Sequence, residues 1–442
     1  MTASGPSTGS DGTSHKVSAE ASVPWHSHNW DAILAGEGFA DRYFLRAGLV
    51  RKDRLTAFVP QEHQPQTAVV RSFQELAIAL EQLGESSSGE GADDVRFVLK
   101  KAQSSNASGM RFFTGHDACA VIASVRHTGS VAGQHCASAS SLACSAAAVA
   151  AAAVLVADAA ASWRARGSGG HSFWTAAISA TTRTKAAACT AVAALTSLAL
   201  SAALGTANIT TWLQDFSSTG HGPSTLPASS QAVVADLQQL MSPDTGTGNK
   251  ERACIWVIQR HIEPWLHCGR KFHLRVLLLC VGDLQAYVHQ DVRMLVATEL
   301  FKVGKHDTSR VFALVTNMGA SGRHEEYDKV AQNLPLETLG EELSRKIFSE
   351  IGEVLGATLT RVRDAGRRHF FTTPNCWELF GADFLVEGGS GRVILLELNP
   401  SPSMAMYGDG GGPAVRRQLL GTNPLEDVPT GWCPVPLVDM NK

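Results

Sequence analysis

An α+β chain built on antiparallel strands is what the sequence predicts, and three observations predict it. Two apolar runs, from Phe380 to Glu387 and from Val393 to Asn399, flank Gly388-Gly-Ser-Gly391 and read as an antiparallel hairpin. Upstream, Gly269-Arg-Lys271-Phe-His273-Leu-Arg275 alternates basic and apolar residues and runs into the apolar stretch from Val276 to Cys280, the pattern of a long strand. Between the two, residues 337–356 place Leu339, Leu343, Ile347, Ile351 and Leu355 at intervals of four, which predicts an amphipathic helix packed on the sheet.

The remaining elements follow in chain order. Residues 1–23 are rich in Ser, Gly and Thr with almost no large apolar side chain, so they cannot bury a core and are expected to be disordered. Residues 42–55 alternate basic and apolar residues, and Lys52 within them is expected to lie away from any functional site. Phe73, Leu76, Ile78, Leu80 and Leu83 define a helix over 71–84 that ends at Gly84. Val95 to Lys101 reads as a strand feeding the small-residue loop Ala102 to Gly109, and small side chains there let backbone N–H groups approach an anion. The span from Gly109 to Cys254 is far longer than a compact connection needs. Its Ala, Ser and Gly bias predicts a low-complexity insertion over 117–245, interrupting a single domain over 24–442.

Composition narrows the function. With 442 residues and a net charge of −3, the chain has no overall electrostatic draw toward nucleic acid or membrane. Its nine cysteines contain no C-x-x-C pair, which argues against a zinc ribbon, a redox dithiol or a disulfide scaffold and makes a reducing cytoplasm the expected setting. The polar start is unlike a secretory signal. Residues 142–157 and 186–204 are Ala-rich, and 186–204 is an uncharged run about long enough to cross a bilayer. Alanine is only weakly apolar, however, so Ala-rich helix or low-complexity sequence is the expectation. His26 and His28 are expected at the surface, with no third ligand near them.

The hairpin carries the chemistry. Asp383 lies on one strand; Glu397 and Asn399, two apart on the next, share a face. Such hard oxygen ligands suit Mg²⁺ held partly by protein and partly by substrate phosphates. A surface hairpin with solvated acids is the alternative, weakened by the cost of burying acids in apolar strands without partners. Lys271, His273 and Arg275 likewise point to one face, where two cations on a buried strand call for anions such as phosphates.

These segments resemble the tubulin tyrosine ligase-like family. Trp377-Glu-Leu-Phe-Gly381-Ala-Asp383 and Leu395-Leu-Glu397-Leu-Asn399-Pro-Ser-Pro-Ser403 are similar to its metal-site motifs. Residues 42–55 resemble the part preceding its nucleotide site, Phe97 through Met110 its phosphate segment, Cys254 through Pro264 its adenine hinge, and Gly269 through Cys280 its G-R-K-F-D-x-R strand. The resemblance implies an ATP-grasp fold, with the antiparallel sheets of two lobes clamping MgATP around a long Ala-rich insertion. It implies that Asp383, Glu397 and Asn399 hold Mg²⁺, and that Lys100, Ser108, Gly109, Gln259, Arg260, Ile262, Lys271, Arg275, Thr316 and Asn317 contact ATP. Lys271 and Arg275 would also serve the chemistry.

The implied reaction is ATP-dependent amide formation: a carboxylate is activated as an acyl phosphate and attacked by the amine of a free amino acid, whether glutamate, glycine or tyrosine. The implied partner is the acidic C-terminal tail of tubulin or another acidic protein tail, in a cytoplasmic, cytoskeletal or ciliary setting. Ser-Pro-Ser after Asn399 looks more like the glutamylase and glycylase branches. The chain departs from the family's pattern in the phosphate segment, where Lys101 replaces a proline and the loop has a single glycine, and at three further positions. His273 replaces an aspartate that helps hold the amino acid, Leu295 an arginine for which Arg293 could compensate, and Leu314 a histidine. Two readings therefore stay open: a working ligase, or a catalytically silent MgATP-binding protein associated with tubulin or microtubules.

Overall fold

The computed structural model describes residues 23–84, 95–104, 110–126, 228–242, 254–301, 311–408 and 412–437. Residues 1–22, both Ala-rich runs, most of the expected insertion, and Ser108 and Gly109 lie outside them. The chain divides into two compact units, residues 1–119 with 237–442, and residues 120–236. Of the second unit the described residues, 120–126 and 228–236, are helical.

All described strands belong to the first unit. Thr67–Val70 (β1), Val95–Lys101 (β2), Arg111–Thr114 (β3) and Trp256–Arg260 (β4) form an antiparallel sheet in the order β1-β4-β2-β3. The larger sheet contains Leu266–His267 (β5), Arg270–Val281 (β6), Gln285–His289 (β7), Arg293–Val296 (β8), Asn333–Pro335 (β9), Trp377–Val386 (β10), Val393–Pro400 (β11) and Trp432–Pro434 (β12). Its main path runs β11-β10-β6-β7-β12, with β5 and β8 pairing β6, and β9 pairing β8. Every pairing is antiparallel.

The two-residue period of β6 sorts its side chains between different surroundings. Phe272, Leu274, Val276, Leu278 and Cys280 face the main core, which also holds Ile347, Ile351, Val354, Leu355, Leu359 and Val362 from the helix Glu341–Asp364. The other face begins with Lys271, His273 and Arg275. It continues as Leu277, Leu279 and Val281, packed with Met404, Val415 and Trp432 in a second apolar cluster. One strand thus anchors two cores and presents a polar stripe at one end.

The amphipathic helix begins later and ends later than the spacing of leucines implies. Leu336–Leu339 form a 3₁₀ turn, and Gly340 at φ +94° redirects the chain before the helix starts at Glu341. The apolar stripe then continues through Leu359 and Val362 to Asp364. The helix expected at 71–84 is Phe73–Gly84; Leu76 and Leu80 are buried, whereas Ile78 faces solvent.

The segment after Val23 is fastened to β10 and to the chain just before it. Ala40 bridges Cys376 and Leu45 bridges Phe371. The buried Glu378 accepts a bond from the Tyr43 N–H at 3.1 Å and pairs with Arg46 at 2.5 Å. Burial pushes Glu378 up to about 7, against the pull of Arg46. His28 corrects an expectation. Its side chain is only 4% exposed and meets the fully enclosed Asp41 at 3.1 Å, so it is an internal partner of a buried acid and not a surface histidine. His26 is exposed.

Gly381 on β10 is required by close approach. A Cβ there would lie 2.8 Å from Pro402 Cβ and 3.3 Å from Arg275 Cδ. Gly381→Ala is expected to cost about 1–3 kcal/mol by overpacking, read as a lower melting temperature; an unchanged melting temperature would show that Pro402 and Arg275 give way freely.

Candidate functional site

A cleft between the two sheets collects the polar residues of both. From the smaller sheet and its connections come Lys52, Val98, Lys100, Ser104, Gln259, Arg260 and Ile262. From the larger come Lys271, His273, Asp383 and Glu397, with Leu314, Thr316 and Asn317 from the chain before β9.

Strand register builds its centre. Asp383 stands between Arg275 on β6 and Glu397 on β11, directly opposite each. The register of β10 and β11 then shifts between Asp383 and Phe384, leaving Leu396 as the extra residue of a bulge at the site. Asn399 donates from Nδ2 to Asp383 at 3.1 Å and to Glu397 at 3.0 Å, so the two acids and the amide form one cluster. Arg275 grips Asp383 with two bonds, Nε to Oδ1 at 2.5 Å and Nη2 to Oδ2 at 3.1 Å. Arg275 and Asn399 are not among the cleft-lining residues; they support those that are.

Lys52 is the site residue that the sequence reading placed elsewhere. Its Nζ lies 3.0 Å from Glu397 Oε2 and donates to the Ser104 carbonyl at 2.6 Å. Its backbone N–H also donates to the Ala102 carbonyl. The fastening of residues 40–46 to β10 brings the short helix Lys52–Leu55 to this place. The only signal in the sequence was the basic and apolar alternation of residues 42–55, which does not say where a lysine will point.

Electrostatics separate the groups. Burial holds Lys100 at about 8, with Lys52 adding to the depression and Glu397 opposing it. Lys271 is likewise held at about 8 by burial and by Lys100. Against its own burial, Glu397 is drawn down to about 2 by Lys52 and then Lys100. Burial raises Asp383 to about 6 despite Arg275, which still leaves it ionised at neutral pH. His273 is pushed down to about 3 by burial and by Arg275, so it is neutral. Its Nδ1 meets Thr316 Oγ1 at 2.5 Å and its Nε2 lies 3.8 Å from Asp383.

The other expected residues fall as follows. Gln259 donates to Thr67 Oγ1 at 3.2 Å, and with Arg260 and Ile262 it lines the cleft. Asn317 accepts from the Gly319 N–H at 2.8 Å. Leu295 is buried opposite His273. Arg293 lies opposite Arg275, bonds Asp291 through Nη2 at 2.7 Å and sits over the Tyr407 ring at 5.7 Å; it does not line the cleft.

The donor set suits a phosphate-bearing ligand and a hard cation. Three lysines face a cleft lined by two carboxylates, and the Asn399 amide bonds both of those acids. Among the described residues no three His, Cys, Asp or Glu side chains are grouped to hold a metal by themselves. An Mg²⁺ held here would take the rest of its shell from phosphates and water.

The described fold is α+β, and both of its antiparallel sheets contribute residues to the cleft. Residues 231–409 match the model of the Tubulin-tyrosine ligase family. It is 31% identical over 156 residues to a probable tubulin–tyrosine ligase of Schizosaccharomyces pombe, covering 35% of this chain and 37% of that protein. It is 27% identical over 147 residues to the probable tubulin–tyrosine ligase Pby1 of Saccharomyces cerevisiae, covering 32% of this chain and 19% of that protein. The chain thus aligns with little more than a third of the first relative and about a fifth of the second. A solved structure, the C-terminal domain of K. lactis Pby1, an ATP-grasp enzyme interacting with the mRNA decapping enzyme Dcp2, superposes with a TM-score of 0.46 at 14% identity, covering 94% of this chain and 87% of that one. No described helix is long and apolar enough to cross a membrane.

Proposed function

We propose that the chain is an ATP-dependent carboxylate–amine ligase that adds an amino acid to a protein tail. The observation that carries this reading is the convergence of Lys52, Lys100 and Lys271 on a cleft that also holds the Asp383–Glu397 pair. Asp383, Glu397 and Asn399 would hold the magnesium of MgATP, which supplies offset of charge on the transferring phosphate. The lysines would neutralise the phosphates, and Gln259, Arg260 and Ile262 line the cleft where adenine would lie. Arg275 would act through Asp383, fixing its carboxylate. The names of the curated relatives support a protein acceptor, and the acidic tail of tubulin or another acidic tail fits a cleft rich in lysine.

Two predictions test the phosphate cradle. Lys100→Ala should weaken ATP by about ten- to a hundredfold, the usual cost of a charge-assisted contact, and Lys52→Ala belongs in the same class because of its place in the cleft; calorimetry reads both. ATP affinity should also fall as pH rises through about 8, where Lys100 and Lys271 lose their charge. A flat affinity between pH 7 and 9 would exclude them as the phosphate ligands.

The silent-binder reading is favoured by a specific observation. His273 is neutral and both Leu295 and Leu314 are buried, so these three positions offer no charge to an amino acid's ammonium or carboxylate. ADP release separates the two readings. A ligase should release ADP in the presence of one amino acid and an acidic peptide, and His273→Asp should change its amino-acid preference. A silent binder should bind ATP with no such release.

A further inference from the structure

Both cleft carboxylates already have internal cations, but the two cations are held differently. Arg275 is buried and grips Asp383 through two bonds. Lys52 reaches Glu397 with a single ammonium on a flexible stem and keeps a second acceptor, the Ser104 carbonyl, at 2.6 Å. An ammonium 3.0 Å from Oε2 occupies the electrostatic position that a divalent ion would need on Glu397. Lys100 adds positive charge from β2 of the smaller sheet.

We infer that Lys52 is a specificity-determining residue for metal loading, holding Glu397 against a free divalent ion and yielding it to an ion that arrives with a phosphate chain. This rests on the proposed MgATP site. A free cation entering the cleft must displace Lys52 and then sit beside an ammonium with no new counter-charge. A metal–nucleotide complex brings anionic oxygens that take over Lys52 as the metal takes Glu397, so the exchange leaves no charge unpaired. Lys52 thereby couples the metal position on β11 to the phosphate side of the cleft at Ser104.

Mn²⁺ alone is the probe, followed by its electron paramagnetic resonance signal on titration into the full chain, with Mn²⁺–ATP measured in parallel. Lys52→Gln removes the charge but retains a donor for Ser104. It should bind free Mn²⁺ at least about tenfold more tightly than wild type, since removing an opposing charge typically shifts affinity by a decade or more, while Mn²⁺–ATP affinity falls. Lys52→Arg keeps the charge and should keep free Mn²⁺ binding weak. Unchanged Mn²⁺ affinity in Lys52→Gln would overturn the inference, as would equal tightening in Lys52→Arg. Failure of wild type to bind Mn²⁺–ATP would instead remove the underlying nucleotide reading, a separate result on a separate titration.

Discussion

Glu397→Gln is expected to lower MgATP affinity by about a hundredfold or more, the upper range for disturbing a metal site, while the chain remains folded. Glutamine keeps the shape of the side chain and an oxygen that can accept from Lys52, but removes one of the two anionic charges at the proposed metal position. Acid unfolding gives an independent reading of the same group. Glu397 is held at about 2, below the unfolded glutamate value of about 4.3, so its contribution to stability is fully present above that value and is lost as pH falls toward about 2. The glutamine variant has no such contribution to lose, and its stability should change less over that window. A folded Glu397→Gln protein with unchanged MgATP binding by calorimetry would remove Glu397 from the metal site.

Arg275→Ala should lower stability by about 3–5 kcal/mol, the usual cost of removing one partner from a buried ion pair. Asp383 would then be a buried carboxylate without its bidentate partner, and its burial would push it toward protonation. The variant should therefore melt much lower than Lys100→Ala, whose side chain faces the cleft and, in the proposed function, meets phosphate. Replacing both members, Arg275→Met with Asp383→Asn, should recover part of the stability but not the metal binding. If Arg275→Ala instead leaves the melting temperature unchanged and weakens only ATP, the arginine acts directly on phosphate.

The hairpin and the cationic strand were legible because a strand's period is local. Once β6 is a strand, Lys271, His273 and Arg275 must share a face, and once β11 is a strand, so must Glu397 and Asn399. The Gly-Gly-Ser-Gly turn at 388–391 then sets β10 and β11 side by side. The bulge after Asp383 had no such signal, since an extra residue in one strand depends on its partner's register.

Alternation and turn chemistry act over a few residues, so the α+β class, the antiparallel hairpin and which charged residues point the same way along each strand are readable from residue order alone. Which charges meet depends on packing between distant parts of the chain. Lys52 reaches Glu397 because Tyr43 and Arg46 are tied to the buried Glu378, more than three hundred positions away in the chain. His28 is internal because Asp41 is enclosed and needs a partner. Arg275 binds Asp383 because β6 and β10 align those two residues. These pairings arise from long-range packing and from the cost of burying charge without a partner, and no local pattern in the sequence encodes either.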